Sequence, residues 1–437
     1  MTRLPRLLLL CAALLAGSCT RAPDKTEIVV QRFFGECGAV YGRSTDVASA
    51  DTECGILTTL INKFQAENPD VRLKINIVAW PGYPQLAAQI AAGDPPDLVT
   101  MHQSVINDYQ RRGLLEPVDE VLRQAQVDAA DFTPAARAGV IKDGRLYALP
   151  YDTIGRLFHI NTRLMAQAGL MRGGEPILPD SPQQLLAHAR QFKAATGKPY
   201  LIQATVSAPD FHVALLYTYL LAQGATIFPD DRHIRLDTPQ AREIVALFRQ
   251  LNAEGLTTRN QDFPAATASF IKGDGGIFPV GTWMIGPYET EAANPASALH
   301  KAYAVAPLPR LWGQPTAFVD GHAWVMPRAQ RSQEEEAAIG RFLKFLADNN
   351  FGWSRTGQLP AMAGVLATPA FRTLPHREDY ASIATNGTQL PGYVERQSAV
   401  QGLIGEELEA AVTGAKPIGQ ALQDAERRVN ELYAQML

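Results

Sequence analysis

Gly55–Trp80 reads "GILTTLINKFQAENPDVRLKINIVAW", and its hydrophobic period changes partway along. Ile56, Leu57, Leu60, Ile61 and Phe64 recur at helical spacing until Pro69 stops the run. Beyond the proline, Val71, Leu73, Ile75 and Ile77 alternate with other residues, as a strand requires. Upstream, "EIVVQRF" (Glu27–Phe33) is β-branched and bounded by glycine, a first strand. Downstream come a short helix around Gln85–Ala92 and "DPPDLVTMH" (Asp94–His102), a third apolar strand after a proline turn. Strands alternating with helices predict an α/β fold with a largely parallel sheet.

Later helices carry their own punctuation. Ser181 and Thr238 are capping hydroxyls followed by proline, and Gly197 and Gly255 stop those runs. Ser332 and Glu335 stand at capping-box spacing. "KPYLIQ", "GGIFPVGTW", "YAVAPLP" and "HAWVMP" read as short strands between them, and the tail from Val400 reads as helix. At 437 residues the chain is long for one core, so two domains are expected. No tandem repeat or low-complexity linker separates them, which predicts interwoven chain segments.

The formal charge is −4 and the basic residues are scattered, so no patch suits nucleic acid. The first residues, "MTRLPRLLLLCAALLAGSC", read as an export signal: Arg3 and Arg6, an apolar run from Leu7, then small residues. The run is shorter than the roughly 20 apolar residues that span a bilayer. Ala16, Gly17 and Ser18 before Cys19 resemble a lipoprotein cleavage box without its usual leucine. Residues 1–18 are then a signal peptide and 19–26 a linker lipidated at Cys19, the chain's only attachment to a membrane; an ordinary cut nearby is the alternative. With Cys11 removed and Cys19 lipidated, Cys37 and Cys54 remain of four cysteines, and an even pair in an exported chain reads as a disulfide. In the chain-entropy account it contributes about 3 kcal/mol. A metal site there lacks a CxxC pair and a nearby histidine, and a redox role is disfavoured likewise.

Catalytic motifs are scarce. There is no HExxH and no GxSxG, and "TGKPY" lacks the earlier glycine of a P-loop. No cofactor is called for, and the eight histidines are dispersed. A glycosidase carboxylate pair stays open among 44 acidic residues. Trp80, Trp283, Trp324 and Trp353 stand near glycine or proline, at strand ends or loops. Such rings either fill cores or offer faces to sugar C–H groups. Trp283, between Gly281 and Gly286, is the best placed to face a cleft.

In their order along the chain, "TLINKFQAENPDVRLKI", "QIAAGDPPDLVTMH", "RGLLEPVDEVL", "DGRLYALPYDTIGRLFHINTRLMAQAGL", "FIKGDGGIFPVGTWMIG", "YAVAPLP", "FVDGHAWVMP" and "RTGQLPA" resemble the extracellular solute-binding proteins of bacterial ABC importers, in the maltose/trehalose-type sugar-binding group. The resemblance implies the type II periplasmic-binding-protein fold: two α/β lobes, each a mostly parallel sheet flanked by helices. It places one lobe at 27–151 and 322–366 and the other at 152–321 and 367–437. It also implies a monomeric, non-enzymatic receptor in the periplasm or cell envelope, which closes on a disaccharide or oligosaccharide and delivers it to the permease subunits. The cleft residues it suggests are Glu36, Trp80, Tyr83, His102, Tyr151, Asp152, Trp283, Phe318, Asp320, Gly321 and His322, with no metal ligand. Two departures stand out: the long insert between Cys37 and Cys54, and "NGTQLPGY" (Asn386–Tyr393), which lacks the family's late arginine. An exported carbohydrate-active enzyme, a receptor for a polyamine or metal, and a structural envelope lipoprotein are the competing readings.

A thiol assay on unfolded, unreduced protein should detect neither Cys37 nor Cys54; finding both reactive would remove the bridge.

Overall fold

In the computed structural model, which describes residues 25–206 and 208–436, the change of period at Pro69 is a change of element. The helix Glu53–Glu67 gives way to a strand, Val71–Ile77. Thr52 caps that helix by accepting from the Gly55 amide at 3.1 Å. Its face of Ile56, Leu57, Leu60 and Phe64 is buried with Trp324, Phe342, Leu343 and Leu346 in the first lobe's core. Each such side chain contributes about 1.5–3 kcal/mol. The expected signal peptide, with Cys11, and the lipidated Cys19 lie outside the described residues. Among those described, no helix is long and apolar enough to cross a membrane.

The strands that position the site are β1 (Thr26–Arg32), β2 (Val71–Ile77), β3 (Leu98–His102), β4 (Leu115–Glu116), β5 (Ala148–Pro150), β6 (Asp152–Asn161), β7 (Ile277–Gly281), β8 (Tyr303–Pro307), β9 (Val319–Asp320), β10 (His322–Pro327) and β11 (Leu359–Pro360). The first sheet runs β2-β1-β3-β10-β4, with β5 also on β10. Val30 of β1 lies opposite both Ile75 and Leu98 in parallel register. β10 is antiparallel and sets His322 against His102. The second sheet is organised by β6, with β7 and β8 along its far half and β9 and β11 at its start.

All pairings in the second sheet are antiparallel, so the parallel arrangement expected in each lobe is met by β2-β1-β3 and not here. The reason is directional. β6 runs outward from the junction of the lobes, and β7 and β8 run back towards it, each parallel to the other across β6. "KPYLIQ" forms no strand of its own and makes only isolated bridges from Leu201 to Thr257 and Ile277.

The chain passes between the sheets at Tyr151, at Gly321 and between Ser354 and Leu359. After β11 pairs with Asp152 and Thr153 of β6, the chain still touches the first lobe, where Met362 bridges Phe132 and Ala361 accepts from the Thr133 amide. Long helices, Asp210–Ala222, Pro239–Ala253, Gln397–Thr413 and Ile418–Ala434, cover the second sheet. The punctuation read from sequence acts locally: Ser332 and Glu335 form the reciprocal capping box, and Gly197 takes φ 71° at its helix end.

At Gly321 the two crossing strands touch. A Cβ there would lie 2.2 Å from the Asp152 carbonyl oxygen and 2.5 Å from Gln103 Nε2. Gly321→Ala should therefore destabilise by about 1–3 kcal/mol. Gly364→Ala, where a Cβ meets nothing within 4 Å, should leave the melting temperature unchanged or raised. Equal melting of both variants in calorimetry would contradict this packing.

Candidate functional site

Where β6 and β10 begin side by side, Asp152 is wholly buried and His322 is nearly so. Oδ1 of Asp152 accepts from the His322 amide at 2.7 Å. Its Oδ2 accepts from Trp353 Nε1 at 2.7 Å and from His322 Nδ1 at 2.8 Å. A carboxylate taken this far from water needs such partners. Burial pulls the His322 pKa down, but the carboxylates of Asp152, Glu53 and Asp320 outweigh it and the net shift is upward. The knot ties together strands from both lobes.

Next to it stands His102, its ring centroid 4.8 Å from that of His322. Tyr83 Oη accepts the His102 amide at 3.0 Å and lies 2.7 Å from His102 Nδ1. Burial, followed by the charge of His322, holds the His102 pKa down at about 4, so the imidazole is neutral. In the tautomer in which the Tyr83 hydroxyl donates to Nδ1, the proton of His102 sits on Nε2, which makes no hydrogen bond among the described residues. Trp80 meets His102 edge-on at 5.9 Å and is 70% exposed. A tryptophan left that open beside a polar floor is a ready platform.

Glu53, in the first turn of its helix and next to the Cys37–Cys54 disulfide, supplies the acidic side of the floor. Its Oε1 accepts from Gln358 Nε2 at 2.8 Å, and Gln358 Oε1 accepts from Thr282 Oγ1 at 2.6 Å. Burial raises the Glu53 pKa, opposed by His322 and by the Gln358 bond. The relay thus runs from the first lobe, through the third crossing, to the residue before Trp283. Half-buried Trp283 folds over Gly281, and the Arg156 guanidinium lies 5.8 Å from its ring centre. Arg156 is also paired with Asp210 at 2.6 Å and lies over Phe211. The disulfide-bounded insert is held to the same crossing: Arg355 donates to the carbonyls of Val47 and Ala48 at 2.7 and 3.0 Å.

A second seam joins the lobes along the helix Ile106–Gln110. Asp108 accepts from the Arg396 amide at 2.6 Å, and Arg111 reaches Glu395 at 2.7 Å and Asp231 at 3.1 Å.

Of the residues suggested by sequence, Trp80, Tyr83, His102 and His322 share this floor. Asp320 braces it, accepting from Ser104 Oγ and N and from the Gly321 amide. Glu36 is exposed and accepts from the Gly38 amide, apart from these contacts. Tyr151 stacks on Trp353 at 4.6 Å inside the first core and offers no face to a ligand. Asp152 has no exposed surface, and both of its oxygens accept from the protein, so it braces the floor from behind. Phe318 packs edge-on to Tyr217 in the second core, and Gly321 is buried at the crossing. Trp324 and Trp353 are core residues with no exposure. Glu53, Gln358, Thr282 and Phe34, which no motif in the sequence singles out, adjoin these groups. Phe34, at φ 80°, sets its edge on His322 and Trp353. An acidic residue directly after a capping threonine was the one signal for Glu53. Among the described residues no cluster of His, Cys, Asp or Glu suits a metal.

The family model for bacterial extracellular solute-binding proteins matches residues 52–350. A binding protein of Brucella abortus (strain 2308) is 27% identical over 196 residues, 44% of this chain and 46% of that protein, so the match spans about half of that relative's length. The sn-glycerol-3-phosphate-binding periplasmic protein of Escherichia coli O1:K1 is 24% identical over 86% of this chain and 88% of its own. Among solved structures, the cyclic alpha-maltosyl-1,6-maltose binding protein from Arthrobacter globiformis superposes with a TM-score of 0.75 at 22% identity, covering 94% of this chain and 99% of that one.

Because the folded-state pKa of His322 lies above its ordinary 6.5, its protonated form stabilises the fold below that pH, and the contribution is lost as pH rises through the folded value. Melting curves of the protein and of His322→Gln should therefore converge as pH climbs above 6.5. A constant gap across that range would show that the Asp152–His322 pair carries no charge.

Proposed function

We propose, since this chain belongs to the bacterial extracellular solute-binding proteins, that it is the sugar receptor of an ABC importer. It captures a disaccharide or oligosaccharide between its lobes and presents it to the permease from the periplasm or cell envelope, as a monomer held by a lipidated Cys19. The observation that carries this reading is an exposed tryptophan beside a polar floor at the junction of the lobes. Trp80 meets His102 there, and the relay from Glu53 through Gln358 ends at Thr282, the residue before half-buried Trp283. Sugars present C–H faces to rings and hydroxyls to paired donors and acceptors. Here the rings supply the faces, His102 Nε2 a donor and Glu53 an acceptor. The maltosyl ligand named for the Arthrobacter protein agrees with that chemistry.

Closure is part of this reading. A ligand touching both lobes binds the closed arrangement better than the open one and shifts the population towards it by that difference. The Glu53–Gln358–Thr282 relay and the Arg111 seam join the two lobes and support it. The family is one of binding proteins, and Asp152, whose oxygens are all engaged, has no freedom to serve as a general acid or base.

Trp283→Ala should weaken saccharide binding at least tenfold, about 1.4 kcal/mol, with the melting temperature of the unliganded protein little changed. Titration calorimetry measures it, after a thermal-shift screen with maltose, trehalose and maltotriose has found a ligand. Unchanged affinity would remove Trp283 from the site, and a screen without any shift would remove the sugar.

A further inference from the structure

We infer that the cleft selects uncharged or cationic polyols and turns away phosphate esters, and that Glu53 sets this preference. The inference rests on the saccharide reading and narrows it. It matters because the relative matched over most of this chain is named for sn-glycerol 3-phosphate.

Each basic group around the floor is already engaged or buried. Arg32 is 2% exposed and donates to the carbonyls of Phe33 and Gly35 and to Thr58. Arg156 is 8% exposed, pairs with Asp210 and lies between the rings of Phe211 and Trp283. The His322 ring gives Nδ1 to Asp152, whose carboxylate balances its charge, and burial holds the His102 pKa down at about 4. Lys142 is 7% exposed and packs on Gly392 in the seam, in the field of Asp320 and Asp143, with burial drawing its pKa down to about 8. The segment Asn386–Tyr393 carries no arginine, and Gln389 donates its amide to Gln103 Oε1 at 2.8 Å.

The acids are differently placed. Both oxygens of Asp152 and of Asp320 are taken by the protein. Glu53 gives Oε1 to Gln358 and leaves Oε2 without a hydrogen bond among the described residues, on a half-buried side chain. A hydroxyl or ammonium group donates to that oxygen. A phosphate dianion has no proton to give to that oxygen, and it meets a like charge whenever Glu53 is ionised, although burial raises the Glu53 pKa. Glu53 is thus an attractive contact for one class of ligand and a repulsive one for the other.

The test titrates the exported chain with maltose, trehalose, maltotriose, a disaccharide of glucosamine and sn-glycerol 3-phosphate, in wild type and in Glu53→Gln. Wild type should bind at least one uncharged saccharide a hundredfold or more tighter than the phosphate ester, and the glucosamine disaccharide no more weakly than its uncharged counterpart. Glu53→Gln, checked by circular dichroism, should lose at least tenfold in saccharide affinity and narrow the saccharide-to-phosphate ratio at least tenfold. Comparable binding of saccharide and phosphate by wild type overturns the charge preference and leaves the saccharide reading intact. Phosphate binding alone, abolished by Lys142→Met, overturns both and moves the anion to the seam. An unchanged ratio in Glu53→Gln overturns the role of Glu53. No heat from any saccharide overturns the saccharide reading and this inference with it.

Discussion

The buried carboxylate of Asp152 is the group around which the two lobes are organised. It sits at the start of β6, faces the start of β10, and receives the His322 amide, the His322 ring and the Trp353 indole. None of these partners is close in sequence, and an unpaired charge in that place would cost several kcal/mol. The crossing strands are therefore held in one register, and every other feature of the floor follows from it. His102 sits across from His322 because β3 and β10 are paired there, and Tyr83 then fixes the His102 ring.

The same constraint separates support from contact. Asp152, Tyr151, Gly321 and Phe318 are buried at or behind the crossing. The exposed or half-buried groups stand one layer forward: Trp80, His102, Glu53 and Trp283. Their connections run across the lobes, through Gln358 and Thr282 on one side and through Arg111 on the other.

The disulfide-bounded insert has a place in that scheme. Its far end, Cys54, directly follows Glu53, and its middle is gripped by Arg355 from the third crossing. The staple thus holds the helix turn that presents Glu53, besides shortening a loose loop.

Much of the fold was legible in order. The 3.6-to-2 change of period at Pro69, the capping residues Ser181, Thr238 and Ser332, and the apolar strands at Ile277–Gly281 and His322–Pro327 are local facts, dictated by backbone geometry and one-sided burial. Periodicity has no term for strand direction, so the antiparallel role of β6 was invisible. By itself the amino-acid order settled the alternation of elements, the pairing expected of Cys37 and Cys54, and the tryptophans worth watching. Tertiary structure alone decided which carboxylates face outward. Asp152 and Glu53 look alike on paper, and the difference is burial: the fold leaves Asp152 no exposed surface and leaves Glu53 half-buried.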